Sequence, residues 1–320
     1  MKKDTRSNAV IVAVIVLLLA VVGLAGGTCA TAFWISSEVG RALGPQIGSG
    51  SKVGILRIEG VITSGRAPAG GSSGTVYSEQ MASLIDQADQ NQSIKAIVLR
   101  IDSPGGSVVG SNEIYQALQK VKKPIVISMG EMAASGGYYV SCAADKIMAN
   151  PATLTGSIGV IAQMPDISGL MDKLGLDVTV IKSGKFKDEG SPFRPMTPEE
   201  KRIWQDIIDE AYGQFVGIVA EGRSLPVEKV RELADGRVYT GQQAIDLGLA
   251  DEEGNLPDAI KLAAEMGGIK GEPRTVELFT PPTFMQTLLA SLPQSSISVN
   301  VPGLPNVSNR PVLQYLYVSP

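Results

Sequence analysis

Between residues 53 and 185 short apolar runs alternate with amphipathic ones, and this alternation restricts the fold more than any other feature of the chain. The run 53–58 is followed by 81–88, 96–101 by 112–121, and 125–129 by 135–144. Strand-length runs separated by helix-length periodic segments are expected of an α/β domain with largely parallel strands. Runs at 157–161, 171–174 and 178–181 continue the pattern, the last predicted as a strand. Thr197-Pro198-Glu199-Glu200 then supplies an N-cap, a proline and two acids, so a long helix is expected over 198–221 with Ile207, Ile208, Ala211, Phe215 and Ile218 on its apolar face. Shorter helices are expected at 241–247 and 257–266.

Residues 9–34 form an uncharged stretch of 26 residues, long enough to cross a bilayer as a helix. Lys2, Lys3 and Arg6 precede it, so the positive-inside bias holds residues 1–8 in the cytoplasm and sends the rest across as a single-pass protein. A cleaved signal peptide is the alternative, but its apolar region is usually shorter. The Gly- and Ser-rich segment 35–51 is expected as a linker, 52–268 as the folded domain and 269–320 as an extended tail that packs on the domain or on a neighbouring subunit. Charged residues make up 19% of the chain and apolar ones 44%, which fits a folded protein. The net charge of −4 comes without a basic stripe, which argues against nucleic acid. With only Cys29 and Cys142 there is no disulfide framework.

The chain contains no histidine. A serine nucleophile here lacks the usual imidazole base, and an imidazole-built metal site is equally absent, so neither metal nor cofactor is expected. A neutral lysine amine is the natural substitute, since burial or nearby charge lowers its pKa. Three glycine-containing turns follow predicted strands. Asp102-Ser103-Pro104-Gly105-Gly106 offers backbone N–H groups free to point at one spot, as an oxyanion hole requires, although most such turns merely reverse the chain. Gly130 to Ala134 leads to Ser135 at an expected helix start, where Gly136 adds a second donor. A lone serine there would pass as a plain N-cap, but the small residues on both sides supply clearance that a cap does not need. The third turn, 150–158, carries Thr155, Gly156 and Ser157; these hydroxyls serve the turn itself, or Ser157 orients the base. No lysine stands three residues after Ser135, so a Ser-x-x-Lys arrangement is not open to it and the base comes from a distant segment, where Lys182, Lys185 and Lys187 are all open as candidates.

Taken together, Asp102 to Gly106, Ala133-Ala134-Ser135-Gly136-Gly137-Tyr138-Tyr139, Leu154 to Val160, Lys182 to Asp188 with Ser191-Pro192, and Tyr239-Thr240-Gly241 with Leu247 to Asp251 resemble the signal peptide peptidase A family, short bacterial form. That family lies within the Clp protease and crotonase superfamily, and the likeness covers about residues 53–265. The resemblance implies a fold of repeated β-β-α units. It also implies Ser135 as nucleophile, Lys187 as general base, Ser157 as the residue that orients the lysine, and the backbone of Gly105 and Gly136 as oxyanion donors. It further implies a homo-oligomer anchored in the bacterial cell membrane, its catalytic domain on the extracytoplasmic side, degrading remnant signal peptides and other apolar peptides. Two rival readings are a Ser-Lys protease that cuts apolar tails of membrane scaffold proteins, which usually carries further membrane spans, and a crotonase-like acyl-CoA enzyme, which would need neither Ser135 nor Lys187. A scaffold that merely binds peptides would not need the serine and lysine either.

Overall fold

A computed structural model describes residues 50–68, 74–279 and 314–316. The expected anchor at 9–34, nearly all of the linker and most of the tail lie outside the described residues. Among the described residues no helix is long and apolar enough to cross a membrane.

The expected parallel sheet is present. Strands β1 (Lys52–Glu59), β4 (Ile94–Ser103), β6 (Ile125–Ala134) and β7 (Lys146–Ala149) lie in the order β7-β6-β4-β1, each pair parallel. The short β10 (Glu252–Glu253) extends the sheet past β7, and β11 (Arg274–Glu277) extends it past β1. The strand β4 is buried on both faces, as parallel strands between helices are. Ile97, Leu99 and Ile101 meet α1 (Ser78–Gln90) through Met81, Leu84 and Ile85, and α2 (Val108–Gln119) through Ile114 and Leu118. Ala96 and Val98 face the other way and join Val53 and Val126 against Ala259, Ala263 and Ala264 of α8 (Leu256–Met266). Alanines at these helix positions let α8 lie close on the sheet, and they leave no room for larger side chains.

Three further expectations meet the structure differently. The stretch 178–181 is not a strand: Val178 and Val180 are half exposed, Ile181 is 96% exposed, and no described residue gives it a ladder partner. The long helix α5 (Pro198–Arg223) has its capping box at Thr197 and Glu200, but its buried stripe is Ala211, Phe215, Val216 and Val219, and Ile207 faces outward. The strand β6 runs five residues past the expected end at 129. Four steps of its backbone, from Met129 to Ala133, pass beside only two steps of β4, from Ile101 to Ser103. This bulge swings the end of β6 onto β8 (Leu154–Gly156), which pairs in turn with β9 (Val238–Thr240). The last residue of β6 is Ala134, so the bulge decides where Ser135 stands.

A second small sheet has the order β12-β5-β2-β3, built from β2 (Val61–Thr63), β3 (Thr75–Tyr77), β5 (Gly105–Ser107) and β12 (Gln314–Leu316). The β12 strand runs antiparallel to β5 and is the one described piece of the expected tail after residue 279.

The segment between β8 and α5 carries the short helix α4 (Ser168–Leu174), none of whose residues is buried. Its C-terminal half is bolted to α5 by one guanidinium. Arg194 bonds the Asp188 carboxylate at 3.0 and 2.9 Å and the Glu200 carboxylate through two nitrogens, while Glu200 also accepts from the Thr197 N–H at 2.8 Å. The Arg194 bonds, with the Thr197 cap, hold the Glu200 carboxyl down at about 2, against its ordinary 4.5. A depressed carboxylate pKa contributes stability that is fully present above the ordinary value and is lost as pH falls through it toward the folded value. The Glu200→Gln protein should therefore melt below wild type at pH 7, with the gap closing between pH 4.5 and about 2; thermal melts across that range measure it. Ala263→Leu should cost about 1–3 kcal/mol by overpacking under α8, read from urea unfolding.

Candidate active site

Ser135 follows β6 directly and precedes α3 (Gly136–Ser141), with φ 53° and ψ −114°. An L-residue rarely holds such a backbone, and it persists only where the surroundings over-determine it. Here the Ser135 N–H donates to Gly156 O at 2.8 Å and its carbonyl accepts from the Tyr139 N–H at 2.8 Å, so a strand fixes one side and a helix turn the other. The side chain makes no capping bond. A plain N-cap serine would spend its hydroxyl on the helix, and this one does not.

Ser157 also has positive φ, at 49°, and its N–H is tied to Arg237 O at 2.8 Å. Of the three non-glycine residues with positive φ among the described residues, Ser135 and Ser157 line one open cavity of about 590 Å³. Val160, Ile161, Ile208, Tyr212 and Leu316 form its apolar wall, and Asp209 and Asp235 are its charged members. The Arg237 guanidinium, together with its backbone N–H, lowers the Asp235 carboxyl to about 2, so that group stays ionised and is a poor base. The one described cysteine is no rival nucleophile: burial pushes the Cys142 thiol up to about 12.

The glycine turn of β5 stands against Ser135, but the Gly105 N–H is not free as expected. It donates to Ser103 Oγ at 3.0 Å, and that hydroxyl donates to Gly60 O at 2.6 Å. Gly105 contributes clearance instead. A Cβ there would fall 2.5 Å from Gly136 N and 2.1 Å from Tyr315 O. Gly136 opens α3, so its N–H has no acceptor within that helix. The neighbouring Gly106 N stands 3.1 Å from the place a Gly136 Cβ would occupy.

The three lysines separate by their partners. Lys182 pairs with Asp188 at 2.6 Å, and Lys185 pairs with Glu199. Each of these two amines is thus committed to an ion pair within its own segment or to α5. Lys187 is exposed, has no side-chain partner among the described residues, and does not line the cavity of Ser135 and Ser157. Within one protomer the structure thus brings together Ser135, Ser157, Gly105 and Gly136, and leaves Lys187 apart from them.

Comparison with known proteins agrees with the region of this cavity. The sequence profile of Peptidase family S49 matches residues 117–270, and that of Clp protease matches residues 70–161. A Synechocystis sp. protein named as a protease is 50% identical over 187 residues, which are 58% of this chain and 67% of that protein. An Enterococcus faecium protein named as a signal peptide peptidase, SppA, is 38% identical over 71% of this chain and 67% of its own length. The chloroplastic serine protease SPPA of Arabidopsis thaliana is 34% identical over 79% of this chain but only 38% of its own length. A mixed α/β domain of Clp protease type, a nucleophile-like serine on a strained turn and these matches lead to one assignment: the chain belongs to peptidase family S49 and is a serine protease.

Proposed function

We propose that the chain is a membrane-anchored endopeptidase with a Ser135–Lys187 dyad, acting on remnant signal peptides and other apolar peptides. The observation that carries the nucleophile is the Ser135 backbone, held at φ 53° with its hydroxyl uncommitted beside the Gly136 N–H, which has no acceptor within α3. In the reaction Lys187, as the neutral amine, takes the Ser135 proton while Oγ bonds to the peptide carbonyl carbon. The oxyanion leans on the N–H of Gly136, while the Gly105 N–H is engaged by Ser103 Oγ. Lys187 then protonates the leaving amine as the C–N bond breaks, and it next activates the water that cleaves the acyl-enzyme. Ser157 steadies the amine.

The exposed position of Lys187 favours a dyad closed between copies of the chain. The segment that carries it also shows Leu174, Leu176, Val178, Val180 and Ile181 to solvent, an apolar set suited to a second protomer. A partner there would also give 178–181 the strand neighbour it lacks. The substrate class rests on the apolar cavity wall, on the name of the Enterococcus faecium relative, and on the uncharged 9–34 stretch, which would hold the site near membrane-derived peptides.

Ser135→Ala and Lys187→Ala should each lower kcat on an apolar fluorogenic peptide by roughly 10⁴-fold. Mixing the two inactive proteins under subunit exchange should restore a fraction of wild-type activity, because one copy then supplies serine and another lysine. Wild-type turnover by Lys187→Ala would move the base elsewhere, and an inert mixture with exchange verified would place the dyad within one protomer. Peptides with charged residues flanking the cut should show lower kcat/KM than apolar ones, and the reverse order would exclude the substrate class.

A further inference from the structure

We infer that Asp102 is a positioning residue for the nucleophile: its carboxylate holds the bulge of β6 from the neighbouring strand, and so sets where Ser135 stands. The inference rests on the Ser135 role proposed above and deepens it by naming the side chain on which the placement of that serine depends.

A bulge disrupts its ladder, and backbone groups withdrawn from water there need other partners. Four side chains reach the backbone of this one. Arg100 Nη1 donates to Met129 O at 2.9 Å, Thr153 Oγ1 to Gly130 O at 2.7 Å, and Thr155 Oγ1 to Ala133 O at 2.7 Å. These three serve carbonyls. Asp102 does the reverse, its Oδ1 accepting from the Met132 N–H at 3.1 Å. Alternation along β4 puts Arg100 and Asp102 on the face of Ala96 and Val98. Ala96 and Val98 are buried against α8, whereas Arg100 and Asp102, further along the strand, are half-buried and reach sideways to β6.

Gly130 supports this role by what it lacks. Its φ is not positive, so the glycine does not serve an unusual backbone. A Cβ there would fall 2.9 Å from Asp102 Cγ, 3.0 Å from Asp102 Cβ and 2.9 Å from Ile101 O, so the missing side chain lets the carboxylate close on the bulge. Beyond the bulge the chain has no slack. Met132, Ala133 and Ala134 lie in register with Leu154, Thr155 and Gly156 of β8, and the Ser135 N–H donates to Gly156 O. The backbone from the Asp102 bond to the nucleophile therefore runs on one ladder, and a displacement at Met132 is passed to Ser135 instead of being absorbed by a loop. A surface carboxylate without this task would need neither the clearance nor the N–H.

The test uses the full chain with three substitutions at one position. Asp102→Leu keeps the shape without an acceptor, Asp102→Ala removes the acceptor without added bulk, and Asp102→Asn keeps Oδ1 as an acceptor. The Leu and Ala proteins, either of which suffices once urea unfolding shows it folded, should lose roughly 100-fold in kcat on an apolar fluorogenic peptide with KM unchanged, because misplacing a reacting atom by about 1 Å costs that much. Asp102→Asn should keep wild-type kcat. Acylation of Ser135 by a serine-reactive β-lactone, followed by intact mass, should fall and recover in the same pattern, which separates a displaced nucleophile from a damaged peptide groove. Folded Leu or Ala proteins with wild-type kcat and wild-type acylation would overturn the inference and leave the protease intact, and an Asn protein as slow as they are would overturn the hydrogen bond as its cause. Cleavage at the wild-type rate by Ser135→Ala would overturn the nucleophile assignment, and the positioning role with it.

Discussion

The geometry of the site depends on one backbone arrangement, the Ser135 peptide held at positive φ between the carbonyl of Gly156 and the first turn of α3. The strain is tolerated because two independent elements specify it. The bulge after Met129 carries β6 away from β4 and onto β8, which brings Gly156 beside Ser135. Gly156 itself, at φ 77°, permits the turn that sets Ser157 at the rim of the same cavity. The bulge, the two serines and the glycine turn of β5 thus form a single construction, in which removing one member releases the others.

Small residues recur around this construction for a shared steric reason. At Gly105 a side chain would enter the space of a peptide carbonyl and of the Gly136 N–H, and at Gly136 it would meet Ser111 Oγ 2.4 Å away. The clearance is therefore for backbone, and what approaches is backbone. An enzyme that acts on a peptide bond must admit a main chain to within hydrogen-bond reach of its own main chain, and glycine is the residue that allows it.

Much of this was legible in the residues themselves. The alternation of apolar runs located β1, β4 and the start of β6, because strands buried on both faces leave continuous apolar stretches. Ser135, Gly136 and Ser157 stood out by the small residues and turns around them. Legibility failed where a residue's state depends on what lies beside it in space. The run 178–181 has the composition of a strand but no described neighbour to pair with. The Gly105 N–H was assigned as free because its acceptor, Ser103 Oγ two residues away, depends on the turn geometry. Tyr315, buried against Tyr139 and Phe215, stands in a proline-rich tail where the short piece 312–316 was the available signal.

The Lys187 segment follows the same principle in reverse. Arg194, shared between Asp188 and Glu200, pins the base of this segment to α5, and the ion pairs of Lys182 and Lys185 use two of its amines to hold it in place. What stays uncommitted is Lys187, together with a row of exposed apolar side chains. A rigid root beneath an exposed apolar face is the arrangement expected where a further surface packs.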